Sequence, residues 1–336
     1  MKKIFVFLLL TSVLFVSCKP KEKPETPAKA VRFTTSSVAV NTKTAYSGTV
    51  QDGVEAILWD NGDEFTVWCN EASVEGSAQK FADYRVGTDL GSVTSVTPAK
   101  EGVELLWGKG AHQFYALYPA GKLYGNTISA TIPEFQRTIE VETDGFFFRP
   151  NLAEYGCMVA VAAADPSESS VDLRFNPLFT TLEFIVSADE ESEVTVTAFK
   201  LSVAGGSKLV ISGDFQATLS PDADPAFNWD YSTASGEIRA SLGEHRSIRL
   251  SKGQILDISV LALPRALSHL VATFVVDGKD VEIPLVDEKG EYLSFPACEK
   301  ARIYAVGALK PTPKPVGFTV NISGHNVTDY ILDLKQ

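Results

Sequence analysis

From Val31 onward the chain alternates between apolar and polar positions. The run TISATI (127–132) does so, as do Val171-Leu173-Phe175, Leu182-Phe184-Val186, Ile258-Val260-Ala262 and Leu270-Ala272-Phe274-Val276. Successive side chains of a strand point to opposite faces, so a period of two predicts strands with one buried face. Turn-forming clusters separate these runs: Asp60-Asn61-Gly62-Asp63, Gly205-Gly206, Asp277-Gly278-Lys279-Asp280 and Lys289-Gly290. Such residues accept positive φ or hydrogen-bond their own backbone. No sustained stretch combines helical spacing with capping signals; 102–112 comes nearest and is broken by glycine. The pattern predicts an all-β protein of two tandem antiparallel β-sandwich domains. The polar cluster Asp165-Pro166-Ser167-Glu168-Ser169-Ser170 offers the boundary, giving an N-terminal domain at about 31–165 and a C-terminal domain at about 170–310.

Both ends depart from this pattern. Residues 1–17 carry two lysines followed by a 13-residue stretch, Ile4 to Val16, dominated by apolar residues. That is the layout of a secretory signal, and it is shorter than the roughly 20 residues a membrane span needs. The stretch ends on Ser17-Cys18, which resembles a bacterial lipoprotein signal, although Phe15 stands where such signals usually have Leu. On that reading Cys18 is acylated and becomes the mature N-terminus, and several acyl chains anchor stably where one does not. Residues 18–30 then form a tether: 19–30 hold three Pro, four Lys and no large apolar residue, so they cannot bury surface. The longest later apolar run, Cys157 to Ala164, has eight residues and is too short to cross a bilayer.

At the other end, Pro311 to Pro315 forms a stiff linker ahead of a clean strand pattern with Val316, Phe318, Val320 and Ile322 on one face. A strand outside a finished domain needs a partner edge. Two remain open, its own domain's and that of another chain, the second by β-augmentation.

Composition narrows the function classes. The 336 residues carry a net charge of −12 and a pI near 4.9. Six Lys and two Glu in residues 1–30 give +4 there, leaving −16 on the remainder. An acidic body argues against nucleic acid as a partner, because phosphate neutralisation needs clustered Lys and Arg. With Cys18 lipidated, Cys69, Cys157 and Cys298 remain, an odd number. Cys69 and Cys157 could pair, but the strand context of each favours buried apolar thiols. His112, His245, His269 and His325 are scattered without ligand-spaced partners, and no nucleotide, hydrolase or zinc motif is present. No metal, cofactor or catalytic set is expected. Asp60, Asp63 and Glu64 read as a hairpin turn rather than a calcium loop or a carboxylate pair. Trp59, Trp68, Trp107 and Trp229, with FYALYP (114–119), read as core in preference to a sugar-stacking platform.

Several blocks in order carry a family resemblance: TKTAYSG (42–48), ILWDNGDEFTVW (57–68), FYALYP (114–119), LRFNPLFTTLEFIV (173–186), KLVISGDF (208–215) and YLSFPACEKARIYAVGAL (292–309). Together with the lipoprotein-like start, they make the chain resemble the fimbrillin family of Bacteroidetes, subunits and anchors of type V pili. The resemblance implies transthyretin-like sandwiches and a non-enzymatic structural role at the outer-membrane surface, held there by lipid on Cys18 or assembled in a pilus. It also implies other pilus subunits as partners. Shaft subunits of that family lose their first strand to a surface trypsin-like protease, and a C-terminal strand of the next subunit fills the groove. Here the first strand would be about Val31 to Val40, and Lys43 falls at the processing position, where Arg is typical. Arg32 is a poorer candidate because a cut there leaves the groove filled. Residues 316–334 would be donated, with Val316, Phe318, Val320 and Ile322 as the candidate donor-strand residues. The alternative is a monomeric surface lipoprotein that binds glycans; a hydrolase has no legible nucleophile or acid–base set.

Overall fold

The computed structural model describes residues 29–36, 46–51, 54–57, 59–87, 93–142, 145–188, 193–205, 207–287, 289–295, 303–305 and 318–321. Strands dominate. The one helix among the described residues is the four-residue Leu152–Tyr155, as the lack of helical spacing predicts.

The largest sheet has eight strands, in the order Val171–Arg174, Phe33–Ser36, Val93–Pro98, Phe81–Val86, Glu64–Trp68, His112–Tyr118, Met158–Ala164 and Asn176–Pro177. Its pairings are antiparallel except that of Phe33–Ser36 with Val171–Arg174, which is parallel. Phe65 and Val67, Tyr84 and Val86, and Phe114 and Ala116 point inward from neighbouring strands and are fully buried. A four-stranded sheet, Leu123–Tyr124, Thr127–Ile132, Gly213–Thr218 and Ala226–Trp229, packs onto the same core through Ile128, Ile132, Phe215 and Ala217. The alternation in TISATI therefore marks a real buried face.

A second core lies between two further sheets. One runs Phe135–Gln136, Glu237–Ala240, Val194–Val203, Leu270–Val276 and Lys279–Pro284, with Ile248–Leu250 also on Val194–Val203. The other runs Thr138–Glu142, Phe146–Pro150, Ile255–Ala262, Thr180–Ala188 and Ile303–Ala305. The alternating residues Leu182, Phe184, Val186, Ile258, Val260, Leu270, Ala272 and Phe274 are all fully buried here. Phe184 of one sheet meets Phe199 of the other at 4.9 Å between ring centroids, and Phe199 meets Phe274 at 5.0 Å. Such aromatic pairs add about 0.5–1.5 kcal/mol each beyond area burial.

The expected division at 165–170 does not coincide with the cores. Val171–Arg174 and Asn176–Pro177, which follow it, belong to the eight-stranded sheet. Residues 135–150, which precede it, belong to the sheets of the second core, with Phe148 buried there. Residues 213–229 return to the first. The polar cluster is a tight turn rather than a linker. The Ser167 amide donates to Asp165 Oδ1 (3.0 Å), the Asp165 amide to Glu168 Oε1 (2.9 Å) and the Glu168 amide to the Asp165 carbonyl (2.9 Å). Asx-type turns and linkers share a composition.

Candidate functional site: the first strand and the C-terminal strand

The segment ahead of the first strand is already built into the fold. The Trp107 amide donates to the Lys29 carbonyl (2.9 Å), and the Val31 amide donates to the Leu105 carbonyl (2.8 Å). Lys29 Nζ reaches the Glu168 carbonyl at 3.1 Å and the Pro166 carbonyl at 3.4 Å, tying this segment to the 165–168 turn. The chain then enters the eight-stranded sheet as Phe33–Ser36. Thr34 stands opposite Ser95 on one side and Asp172 on the other.

Alternation aims Val31, Phe33 and Thr35 into the core, each buried, while Arg32 is exposed. The Phe33 ring meets Tyr84 at 4.8 Å and Phe114 at 5.3 Å, both edge-on. Tyr84 in turn accepts the Leu105 amide on its hydroxyl at 2.9 Å, and burial pushes its phenol pKa up. Thr35 Oγ1 is buried with no hydrogen-bond partner among the described residues. Removing this strand would uncover Tyr84 and Phe114 and leave two sheet edges unpaired, which is a template for another strand.

Of the two processing candidates, Arg32 lies against the sheet, its carbonyl accepting the Val171 amide at 2.8 Å. A protease needs extended, unpaired backbone, so this pairing disfavours cleavage there. Lys43 lies outside the described residues, as does Cys18.

At the other end, Phe318–Asn321 lies antiparallel on the chain's own strand Thr180–Ala188, with Val320 opposite Val186 and Phe318 opposite Ala188. The same edge takes Ile303–Ala305 in parallel at Thr181, Leu182 and Glu183. Val316 and Ile322 lie outside the described residues. The receiving strand is pinned from behind. Arg149 bonds Asp257 through both terminal nitrogens (2.6 and 2.9 Å) and Glu183 through one (2.7 Å), with all three side chains largely buried.

The remaining candidates are structural. Asp60 to Asp63 form a turn with Gly62 at φ +93°. It is not a hairpin: Glu64–Trp68 pairs with Phe81–Val86 and His112–Tyr118, and Val54–Ile57 pairs with Tyr46–Gln51. Burial, with a smaller push from Asp60, lifts Asp63 to about 6, although the Asp60 amide (2.7 Å) and Tyr118 hydroxyl (3.0 Å) both donate to it. Glu64 pairs with Arg85. Trp59, Trp68 and Trp107 are buried and Trp229 is half-buried, stacked on Phe227. His112 accepts the Gly108 amide on Nε2 and holds the Gly110 carbonyl with Nδ1. Cys69 and Cys157 are free, buried thiols, each pushed up to about 12 chiefly by burial. Among the described residues no group of His, Cys, Asp and Glu could hold a metal ion, and no helix is long and apolar enough to cross a membrane.

A family model described as fimbrillin-like matches residues 41–295. Among solved structures, the chain is similar to a candidate cell adhesion protein from Bacteroides uniformis, at 17% identity and a TM-score of 0.47 over 90% of this chain and 98% of that one. A second, from Bacteroides ovatus, has 14% identity and a TM-score of 0.47 over 90% and 99%. A fimbrial assembly protein from Parabacteroides distasonis has 9% identity and a TM-score of 0.34 over 88% and 99%. No curated protein sequence matches the chain.

Proposed function

The chain belongs to the fimbrillin-like family, and from that premise we propose that it is a non-enzymatic pilus or adhesion subunit of the bacterial surface. In the fuller form of this reading it is a lipoprotein of two transthyretin-like sandwiches. Lipid on Cys18 holds it at the outer membrane, and it joins other pilus subunits by strand exchange. Cleavage after Lys43 releases the first strand, and residues 316–334 of a neighbour take its place.

The observation that supports strand exchange best is the position of Phe33–Ser36 between two strands, over the Tyr84 and Phe114 rings. A single loss there creates a slot with two unpaired edges and an apolar floor, the features an incoming apolar strand recognises. The cis pairing of Phe318–Asn321 uses only one edge, so its exchange costs little backbone pairing.

The full chain treated with a Lys-cleaving protease is expected to yield a fragment beginning at Thr44 and a ladder of detergent-resistant oligomers. Lys43→Gln should block both, and deletion of 311–336 should spare the cleavage and abolish the ladder. A ladder that persists in the deletion overturns strand exchange. Palmitate labelling lost in Cys18→Ala tests the anchor separately.

A further inference from the structure

The outer face of the sheet built on Val194–Val203 carries a groove of about 530 Å³, within the roughly 300–1,000 Å³ of small-molecule sites. A break in the sheet produces it. Phe199 to Ser202 pair with Glu237–Ala240, whereas Val194 to Val196 pair with Ile248–Leu250, so the neighbouring strand changes across Thr197 and Ala198. The register with Leu270–Val276 also shifts between Val196 and Ala198, and both Thr197 and Ala198 are exposed. Bulges of this kind recur where a sheet turns side chains towards a ligand. The Leu242–His245 turn closes one end, with Gly243 at φ +57° packed so tightly on the Phe148 ring that an added Cβ would meet it at 3.0 Å.

Across the groove the register aligns one row of side chains. Phe135 stands opposite Arg239, Arg239 opposite Lys200, and Lys200 opposite Thr273. Phe135 is 55% exposed, a large ring left in water. Thr273 is the reverse: 3% exposed and lining the groove, with its Oγ1 lacking a hydrogen-bond partner among the described residues.

The charges are polarised along the groove. Lys200, Arg239 and Arg246 line it against a single lining carboxylate, Asp280, in a chain of net charge −12. Glu237 holds Arg239 and stands 4.0 Å from Lys200, and Glu134 is 3.6 Å from Arg239. His245 is taken by Glu140 at 2.8 Å. No acidic partner is present for Arg246 among the described residues. At the far side Glu282 stands opposite Thr273, next to the Asp280 end. The groove thus offers a guanidinium and an aromatic face at one end and hydrogen-bond acceptors at the other.

A sugar bearing a carboxylate matches all three demands. Its C–H face stacks on an aromatic ring, its carboxylate takes a guanidinium fork, and its hydroxyls donate to carboxylates. We propose that this groove binds a carboxylated sugar of an acidic glycan, with the carboxylate on Arg246 and Arg239 and the ring on Phe135. The site lies on the second core, away from the first strand, so it stands whether or not the chain exchanges strands.

Isothermal titration of the full chain with trigalacturonic acid, galactotriose and a hexaglutamate peptide separates the sources of affinity. Trigalacturonic acid is expected to bind, with galactotriose and hexaglutamate at least about tenfold weaker and with affinity falling as salt rises. Arg246→Ala, an exposed position, should weaken trigalacturonic acid about tenfold and flatten the salt dependence. Phe135→Ala should cost a few-fold, with thermal melts reporting that the variants fold. Absence of binding, equal binding of galactotriose or hexaglutamate, or binding indifferent to Arg246→Ala and Phe135→Ala would each overturn the proposal.

Discussion

The first and last strands among the described residues are bound in opposite ways. Phe33–Ser36 has a neighbour on each side and buries Phe33 against two rings of the first core. Phe318–Asn321 has one neighbour in the described structure, and its four residues lie along the end of a strand that already carries Ile303–Ala305. A strand held on both sides leaves only when its connection is cut, whereas a strand at an edge can peel away while the rest of the fold stays intact. The difference assigns the two strands different capacities: one is a plug, the other an edge.

The largest effect that would break this contrast comes from the plug. Phe33→Ala should lower unfolding free energy by about 3–5 kcal/mol, as large-to-small changes at fully packed aromatics do, read from urea titration at fixed pH. Deletion of 318–336 should cost about 1 kcal/mol or less on the same measurement. Equal losses would erase the contrast between a plug and an edge.

Next in size is the support behind the receiving edge. Arg149→Ala leaves the Asp257 and Glu183 carboxylates buried without their cation, which should cost about 3 kcal/mol. Arg149→Lys keeps the charge but loses the two-pronged bond to Asp257 and should recover part of that. If the C-terminal strand depends on a rigid edge, amide exchange at 318–321 should speed up in Arg149→Ala before exchange in the first sheet does.

The smallest effect concerns pH in the first core. Asp63 is raised from 3.8 to about 6 in the fold. The folded state therefore binds the proton more tightly than the unfolded state does. Its contribution favours folding below pH 3.8 and is lost as pH rises through about 6. The urea midpoint of Asp63→Asn should accordingly gain on that of the parent chain between pH 4 and pH 7 (about the window of the shift). A parallel pH profile would show that Asp63 titrates normally.

Much of this was readable from the sequence because period two is a local signal. Leu182, Phe184 and Val186 are buried as the alternation predicts; Ile258, Val260 and Ala262 are buried too, but so are Asp257, Ser259 and Leu261, so that strand is covered on both faces. The assignment of strands to cores was not local. Nothing in FFFRP (146–150) or GDFQAT (213–218) says that the first joins the later core and the second the earlier one. The Asp165–Ser170 cluster misled for a similar reason: its hydrogen bonds, not its residues, make it a turn. The groove was illegible for a third reason. Phe135, Arg239, Lys200 and Thr273 come from four strands and meet only through register.

The exchange of segments between the cores has a mechanical side. The chain passes from the first core to the second at 135–150, returns by Leu152, leaves again at Leu182, and comes back once more at 213–229. Two bodies joined by one linker swing apart under tension. Here a force that draws the two cores apart must load several crossings at once, because each crossing is a separate stitch. Cores laced in this way resist separation, and a single proteolytic nick between them would not let the halves drift apart.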